Sequence, residues 1–198
     1  PLSPHYAIEN ILNGRAKAVD VGKVNDSYMI SSMTLGLLAD IAKNVTTVEK
    51  KRWGALAFLK NLFTIILKNK KYTLKIVHDE GVLSKELSIL LVAMTDSLGG
   101  MKSFTPSARV DDGYFHVYTI PDISLRDIIK NLPELALGSF GNISGIDYFT
   151  TSSLKISCSR RKRKVSTRID GDPSFLLPVT MKIINKGLNV IVPNPSFQ

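Results

Sequence analysis

A single cysteine and only three histidines occur in this 198-residue chain, and acids are outnumbered by bases, 17 to 26. With Cys158 alone, an internal disulfide is excluded and a reducing compartment fits. Cys158 continues the alternation Leu154, Ile156, Cys158, which predicts a buried thiol rather than a nucleophile. His5, His78 and His116 are scattered and lack metal-ligand spacing, so a His/Cys metal centre is not expected. No apolar run is long enough to span a membrane. The most apolar stretch, residues 53–67, is interrupted by Lys60 and Asn61. Internal repeats, low-complexity tracts and a clear linker are also missing. The opening Pro-Leu-Ser-Pro carries neither an initiator methionine nor a signal-peptide pattern, so the chain is expected to be a segment of a longer protein.

What is present suits one domain. The hydrophobic fraction of 44% is enough to build a core. The net charge of +9 points toward lipid headgroups, nucleic acid or nucleotide phosphates as anionic partners. Residues 5–13 read as a short helix stopped by Gly14. Residues 17–24 and 27–33 read as strands about a turn at Asn25-Asp26. Helical spacing is expected over 34–44 and 48–68, then the period changes to two from Lys71. Strands are predicted at 72–77, 83–94, 114–120, 147–150, 154–158, 164–169, 177–184 and 188–192, with a broken helix over 125–137. The apolar centre of 83–94 predicts a strand buried on both faces. The fold class expected is α+β, mainly β: an antiparallel β-sandwich with a helical insert, spanning residues 1–198 as a single domain.

Two acidic bends stand out. Asp170-Gly171-Asp172 ends an alternating strand, and its glycine allows a tight bend that brings both carboxylates to a sheet rim. Asp111-Asp112-Gly113-Tyr114 precedes another strand. Either bend alone would be an ordinary turn. The run Arg160, Arg161, Lys162, Arg163, Lys164 forms a basic hairpin tip, which is either a solvated guard of a strand edge or a contact for lipid headgroups. A nucleic-acid role matches its charge, but no aromatic residues are interleaved to stack on bases. Arg168, one position off the inward set Val165, Thr167 and Ile169, could pair with a phosphate or an acid.

The order of these motifs resembles the second domain of the diacylglycerol kinase-like lipid kinases, which include bacterial diacylglycerol kinases and sphingosine kinases. The resembling residues are Val19-Asp20-Val21-Gly22-Lys23-Val24-Asn25, Gly36 with Ala39, and residues 51–58. They continue through Ser97-Leu98-Gly99-Gly100, Pro106 with Ala108, residues 110–115, Ile169-Asp170-Gly171-Asp172 and residues 189–193. The resemblance implies a two-domain enzyme whose first, nucleotide-binding domain is absent from this chain. It would move the γ-phosphoryl group of ATP to a lipid hydroxyl, with Mg²⁺ and a catalytic carboxylate. Asp172 matches the position of the catalytic base, where the family usually has Glu. Asp170 matches the first acid of that motif. Asp112 matches a Mg²⁺-coordinating acid, helped by the carbonyls of Arg109 and Tyr114. Asp111 is its neighbour, and Asp96 replaces a frequent Asn in the loop before the glycine pair. The resemblance further implies a cytoplasmic protein, peripheral to the inner face of the membrane, that meets no nucleic acid. An exposed strand edge offers a route to a homodimer. The reading from another class is a non-catalytic basic β-sandwich that binds anionic membrane or nucleic acid.

Overall fold

The computed structural model describes residues 3–36, 71–97, 105, 107–121, 146–159 and 164–194. The chain opens with helix α1 (Pro4–Asn13), stopped at Gly14, whose N–H donates to the Asn10 carbonyl. Twelve strands follow among the described residues: β1 (Arg15–Val24), β2 (Ser27–Met29), β3 (Ser32–Gly36), β4 (Tyr72–His78), β5 (Gly81–Leu87) and β6 (Ile89–Ala93), then β7 (Phe115–Ile120), β8 (Asp147–Thr151), β9 (Ser153–Cys158), β10 (Ser166–Ile169), β11 (Asp172–Leu176) and β12 (Val179–Val192). They form two six-stranded antiparallel sheets, ordered β2-β1-β12-β9-β4-β5 and β11-β10-β3-β6-β7-β8. The expected antiparallel sandwich is therefore what the chain forms. The expected helices over 48–68 and 125–137 lie outside the described residues, as does most of 34–44.

Several boundaries differ from the expectation, each for a local reason. Residues 27–33 do not make one strand. The chain leaves the first sheet after Met29 and enters the second at Ser32, and Thr34 to Gly36 continue as strand rather than helix. Gly36 cannot be replaced without strain: its φ is +83°, and an added Cβ would sit 2.2 Å from the Ser88 carbonyl oxygen. Residues 83–94 also divide, at Ser88, whose N–H donates to the Ile120 carbonyl while β5 and β6 join different sheets. Residues 179–192 form one long strand, not two. β11 was not anticipated; it contains Pro173, which is tolerated because β11 is an edge strand.

The two sheets bury different amounts of themselves. In β3, β6 and β7 every residue is buried, on both faces. In β4, β9 and the first half of β12 burial alternates, so one face packs inward and the other is open. Leu74, Ile76, Leu154, Ile156, Val179 and Met181 supply the inner face. They pack with Met33, Leu35, Leu90, Val92, Phe115 and Val117 from the second sheet. Cys158 is only half-buried and packs at the margin of this core.

Asp79, in the β4–β5 turn, fastens the corner where β8 meets β9. Its carboxylate accepts from the Ser153 hydroxyl at 2.5 Å, the Ser152 N–H at 2.6 Å, and the Ser152 and Thr151 hydroxyls at 2.9 Å each. The Ser153 and Ser152 hydrogen bonds hold its pKa far below the usual carboxylate range. A depressed folded-state pKa contributes stability that is present above the unfolded value of about 3.9 and is lost as pH falls. Asp79→Ala is expected to lower the melting temperature at pH 7, with the two curves converging as pH drops below about 4. Thermal melts between pH 2.5 and 7 check this. A constant difference at every pH would show that the carboxylate charge is not what stabilises the corner.

Candidate functional site

The residues singled out in the sequence gather along one rim of the second sheet. Its register puts Ser32 opposite Ala93, and Ala93 opposite His116. Asp170 follows the end of β10, and its N–H donates to the Ser32 carbonyl. The Asp170 bend, the Ser31 segment, Thr95-Asp96 and the loop 109–114 therefore all lie at the same ends of adjacent strands. Asp172 pairs with Ile169, which faces Met33, Val92 and Val117 in succession across the sheet. Four strand spacings separate β11 from β7, about 19 Å. The two acidic bends share a rim, yet no single ion or small group can touch both.

At the β10–β11 bend the two acids have different jobs. Asp170, at φ +49°, turns its carboxylate back onto the crossing between sheets. It accepts from the N–H groups of Ile30 at 2.9 Å, Ser31 at 2.8 Å and Ser32 at 2.9 Å. Gly171 takes φ +94°, a conformation costly for any residue with a Cβ. The Arg168 guanidinium, which the sequence left between phosphate and acid, donates to the Gly171 carbonyl at 2.8 and 2.5 Å. Asp172 is exposed and its carboxylate has no partner among the described residues. The bend is fixed by its neighbours while Asp172 stays available.

The 109–114 loop is built around Asp112. Its carboxylate accepts the Arg109 N–H at 2.9 Å and the Tyr114 N–H at 3.1 Å. It also meets His116 Nε2 at 2.9 Å. A carboxylate only accepts, so Nε2 carries a proton, and in the neutral ring Nδ1 accepts from the Tyr148 hydroxyl at 2.8 Å. This tautomer is assigned from the partners. His116 is buried at 3% exposure, and its ring stacks on Tyr148 with centroids 5.9 Å apart. Burial pushes the Tyr148 phenol up, with the Asp112 charge adding to the rise and the Ser107 hydrogen bond opposing it. Tyr118, beside Tyr148, is pushed up to about 12 by burial.

Asp20 and Asp111 anchor the same loop. Asp20 is 6% exposed; its carboxylate accepts the Gly113 N–H at 2.7 Å and the Lys186 N–H at 2.8 Å. Its own N–H donates to the Val110 carbonyl. Asp111 pairs with Lys17 at 3.0 Å, and that hydrogen bond lowers its pKa. Asp96 is exposed, and its carbonyl accepts the Thr105 N–H at 3.2 Å. Arg160, Arg161, Lys162 and Arg163 lie outside the described residues, and Lys164 is exposed just before β10. Sequence reasoning passed over His116, Tyr148 and the role of Asp20. An i,i+4 pairing of Asp112 with His116, and an acid inside the apolar run Val19-Asp20-Val21, were the available signals.

Residues 31–192 match the model of the YegS C-terminal NAD kinase beta sandwich-like domain. The chain belongs to this family. Its similarity to the diacylglycerol kinase of Bacillus subtilis (strain 168) is 24% identity over 187 residues, covering 94% of this chain and 61% of that protein. A diacylglycerol kinase of Staphylococcus epidermidis is 23% identical over 191 residues, 96% of this chain and 60% of its own length. The crystal structure of a diacylglycerol kinase from Bacillus anthracis str. Sterne superposes with a TM-score of 0.75 at 21% identity, covering 100% of this chain and 63% of that one. That last likeness is one of fold. The chain thus spans about three fifths of the length of the curated relatives it matches. Within the YegS C-terminal family fold, the rim described above carries the acids. Among the described residues no helix is long and apolar enough to cross a membrane.

Proposed function

We propose that this chain is the lipid-substrate and catalytic-base domain of an ATP-dependent lipid kinase, acting on a lipid hydroxyl such as that of diacylglycerol. The observation that carries the proposal is the Asp170-Gly171-Asp172 bend: Asp170 is held by three amides, and Asp172 is exposed, with no partner among the described residues. In the reaction the lipid oxygen bonds to the γ-phosphorus, the bond to ADP breaks, and Asp172 accepts the hydroxyl proton. The nucleotide is held mainly by a domain outside this chain. On this reading the protein works in the cytoplasm at the inner face of a membrane, where its substrate lies. The experiment is phosphoryl transfer from radiolabelled ATP to diacylglycerol in mixed micelles by the full-length protein. The 198-residue chain alone is expected to transfer none, and sustained turnover by it would overturn the two-domain reading.

The residues around Asp112 fit Mg²⁺ within a narrow limit. Three donors occupy the carboxylate, two on Oδ2 and one on Oδ1, so one lone-pair direction remains. Asp112 would serve as a single-oxygen ligand, with the Arg109 and Tyr114 carbonyls and water completing a hard-oxygen set. Bound there, Mg²⁺ supplies positive charge that orders the loop. At about 19 Å from β11 that site lies away from the Asp172 proton transfer. His116 is a positioning residue that sets the Asp112 carboxylate, as outer partners of metal ligands do. Hydrogen exchange at the 109–114 amides is expected to slow on adding MgCl₂ to the wild type and not to Asp112→Ala. Exchange that ignores Mg²⁺ in the wild type would remove the site.

A further inference from the structure

We propose that the open face of the sheet β2-β1-β12-β9-β4-β5 is a docking surface for an anionic phospholipid bilayer. This deepens the membrane association proposed above, but its test uses neither ATP nor phosphoryl transfer, so either can fail alone. The face carries Lys23, Lys182, Lys155 and Lys75 on four adjacent strands, all exposed. Lys23 stands directly opposite Lys182, with side chains about 5 Å apart at Cβ. Lys155 faces Thr180, one diagonal step from Lys182. Lys75 faces Ser157, one diagonal step from Lys155. Diagonal neighbours lie about 7–8 Å apart, so the four ammonium groups form a stripe across the sheet.

Among the described residues the stripe has no internal explanation. Like charges directly opposite each other destabilise a sheet. None of the four lysines has an acid partner among the described residues. The acid among the outward residues of the neighbouring strands is Glu86, on the edge strand β5 opposite Thr73. An external anion removes the repulsion.

The residues between the lysines identify that anion. Tyr28 lies opposite Lys23, Val77 opposite Lys155, and Val82 opposite Val77. Tyr28 and Val82 are 61% and 60% exposed, large apolar surfaces that no described residue covers. Lysines attract lipid phosphates, while tyrosine and short aliphatic side chains suit the boundary between headgroups and acyl chains. Single-stranded nucleic acid needs successive aromatic platforms, and this face offers Tyr28 alone. A second copy would set lysine against lysine.

The test is co-sedimentation of the full chain with vesicles of phosphatidylglycerol and phosphatidylcholine, against pure phosphatidylcholine vesicles. Binding is expected to the anionic vesicles only, and to weaken with salt. Replacing Lys23, Lys75, Lys155 and Lys182 together by Gln is expected to reduce partitioning on the order of a hundredfold or more. These positions are exposed, and losing the Lys23–Lys182 repulsion costs no stability, so a melting temperature no lower than that of the wild type should accompany the loss. Tyr28→Ser with Val82→Ser should reduce binding further without changing its salt dependence. A companion variant with Arg160, Arg161, Lys162 and Arg163 replaced by Gln separates the basic run 160–163 from the sheet. Wild-type vesicle binding by the four-lysine variant, or loss confined to the 160–163 variant, overturns the proposal. Tighter binding to duplex DNA or RNA than to the anionic vesicles at equal salt overturns it as well.

Discussion

In the full-length protein, Asp172→Asn is expected to lower kcat for lipid phosphorylation by about 10²–10⁴-fold while leaving ATP binding nearly unchanged. The size is that of a lost general base, and the geometry makes the substitution a clean one. The Asp172 carboxylate has no partner among the described residues, so Asn leaves no orphaned donor behind. The turn that carries it stays fixed, because the Asp170 carboxylate keeps its three amides and Arg168 keeps the Gly171 carbonyl. An unchanged melting temperature is therefore expected alongside the lost turnover. Asp172→Glu lengthens the reach by one methylene, supplies the residue that the resemblance to the lipid kinases implies at this position, and is expected to retain measurable activity. Asp170→Asn should behave in the opposite way: it weakens the attachment of the bend to residues 30–32, so thermal stability falls as well as rate. The assay is lipid phosphorylation at saturating ATP, read beside the melting temperature of each variant. Wild-type kcat in Asp172→Asn would place the base on another residue.

That division between Asp170 and Asp172 was only half legible beforehand. The Asp-Gly-Asp spacing marked a bend with two carboxylates at a rim, and the bend is where it was expected. Sequence could not say that one acid turns inward onto amides some 140 residues away in the chain, because those amides belong to the crossing between sheets. The same blindness explains the strand errors. Alternation and apolar runs report which face of a strand is covered, not which sheet it joins. Residues 83–94 therefore read as one strand, although Ser88 is where the chain passes from one sheet to the other. The core strands were legible because β6 is apolar at every position, which only a strand covered on both faces tolerates. His116 was missed because a lone histidine in an apolar strand, Phe115 to Ile120, gives no metal spacing. Its meaning depends on Tyr148, which reaches it from the next strand.

The most buried error of the sequence reading leads to the largest stability effect expected here, at Asp20. The strands expected at 177–184 and 188–192 were parted at Asn185-Lys186-Gly187. They form one strand because Asp20 mends the defect. β1 slips register between Val19 and Val21, and β12 breaks its regular conformation at Lys186, with φ +52°. The Lys186 N–H finds Asp20 Oδ1 at 2.8 Å, and Oδ2 takes the Gly113 N–H at 2.7 Å. One 6%-exposed carboxylate thus joins the two irregular strands to the loop that carries Asp112. Asp20→Ala removes two charge-assisted hydrogen bonds and leaves two amides facing a void. Each such bond contributes about 1.5–3 kcal/mol, so a loss of roughly 3–6 kcal/mol is expected. For a chain of this size, that lowers the melting temperature by about 10 °C. Asp20→Asn is nearly isosteric, yet its amide accepts only one of the two N–H groups and points a donor at the other. It is therefore expected to recover less than half of the loss. Hydrogen exchange at Gly113 and Lys186 should speed up together in both variants, because one group protects both amides. Loss of protection at only one amide, or an Asp20→Ala melting temperature within 2 °C of the wild type, would show that the bulged strands and the loop hold without this carboxylate.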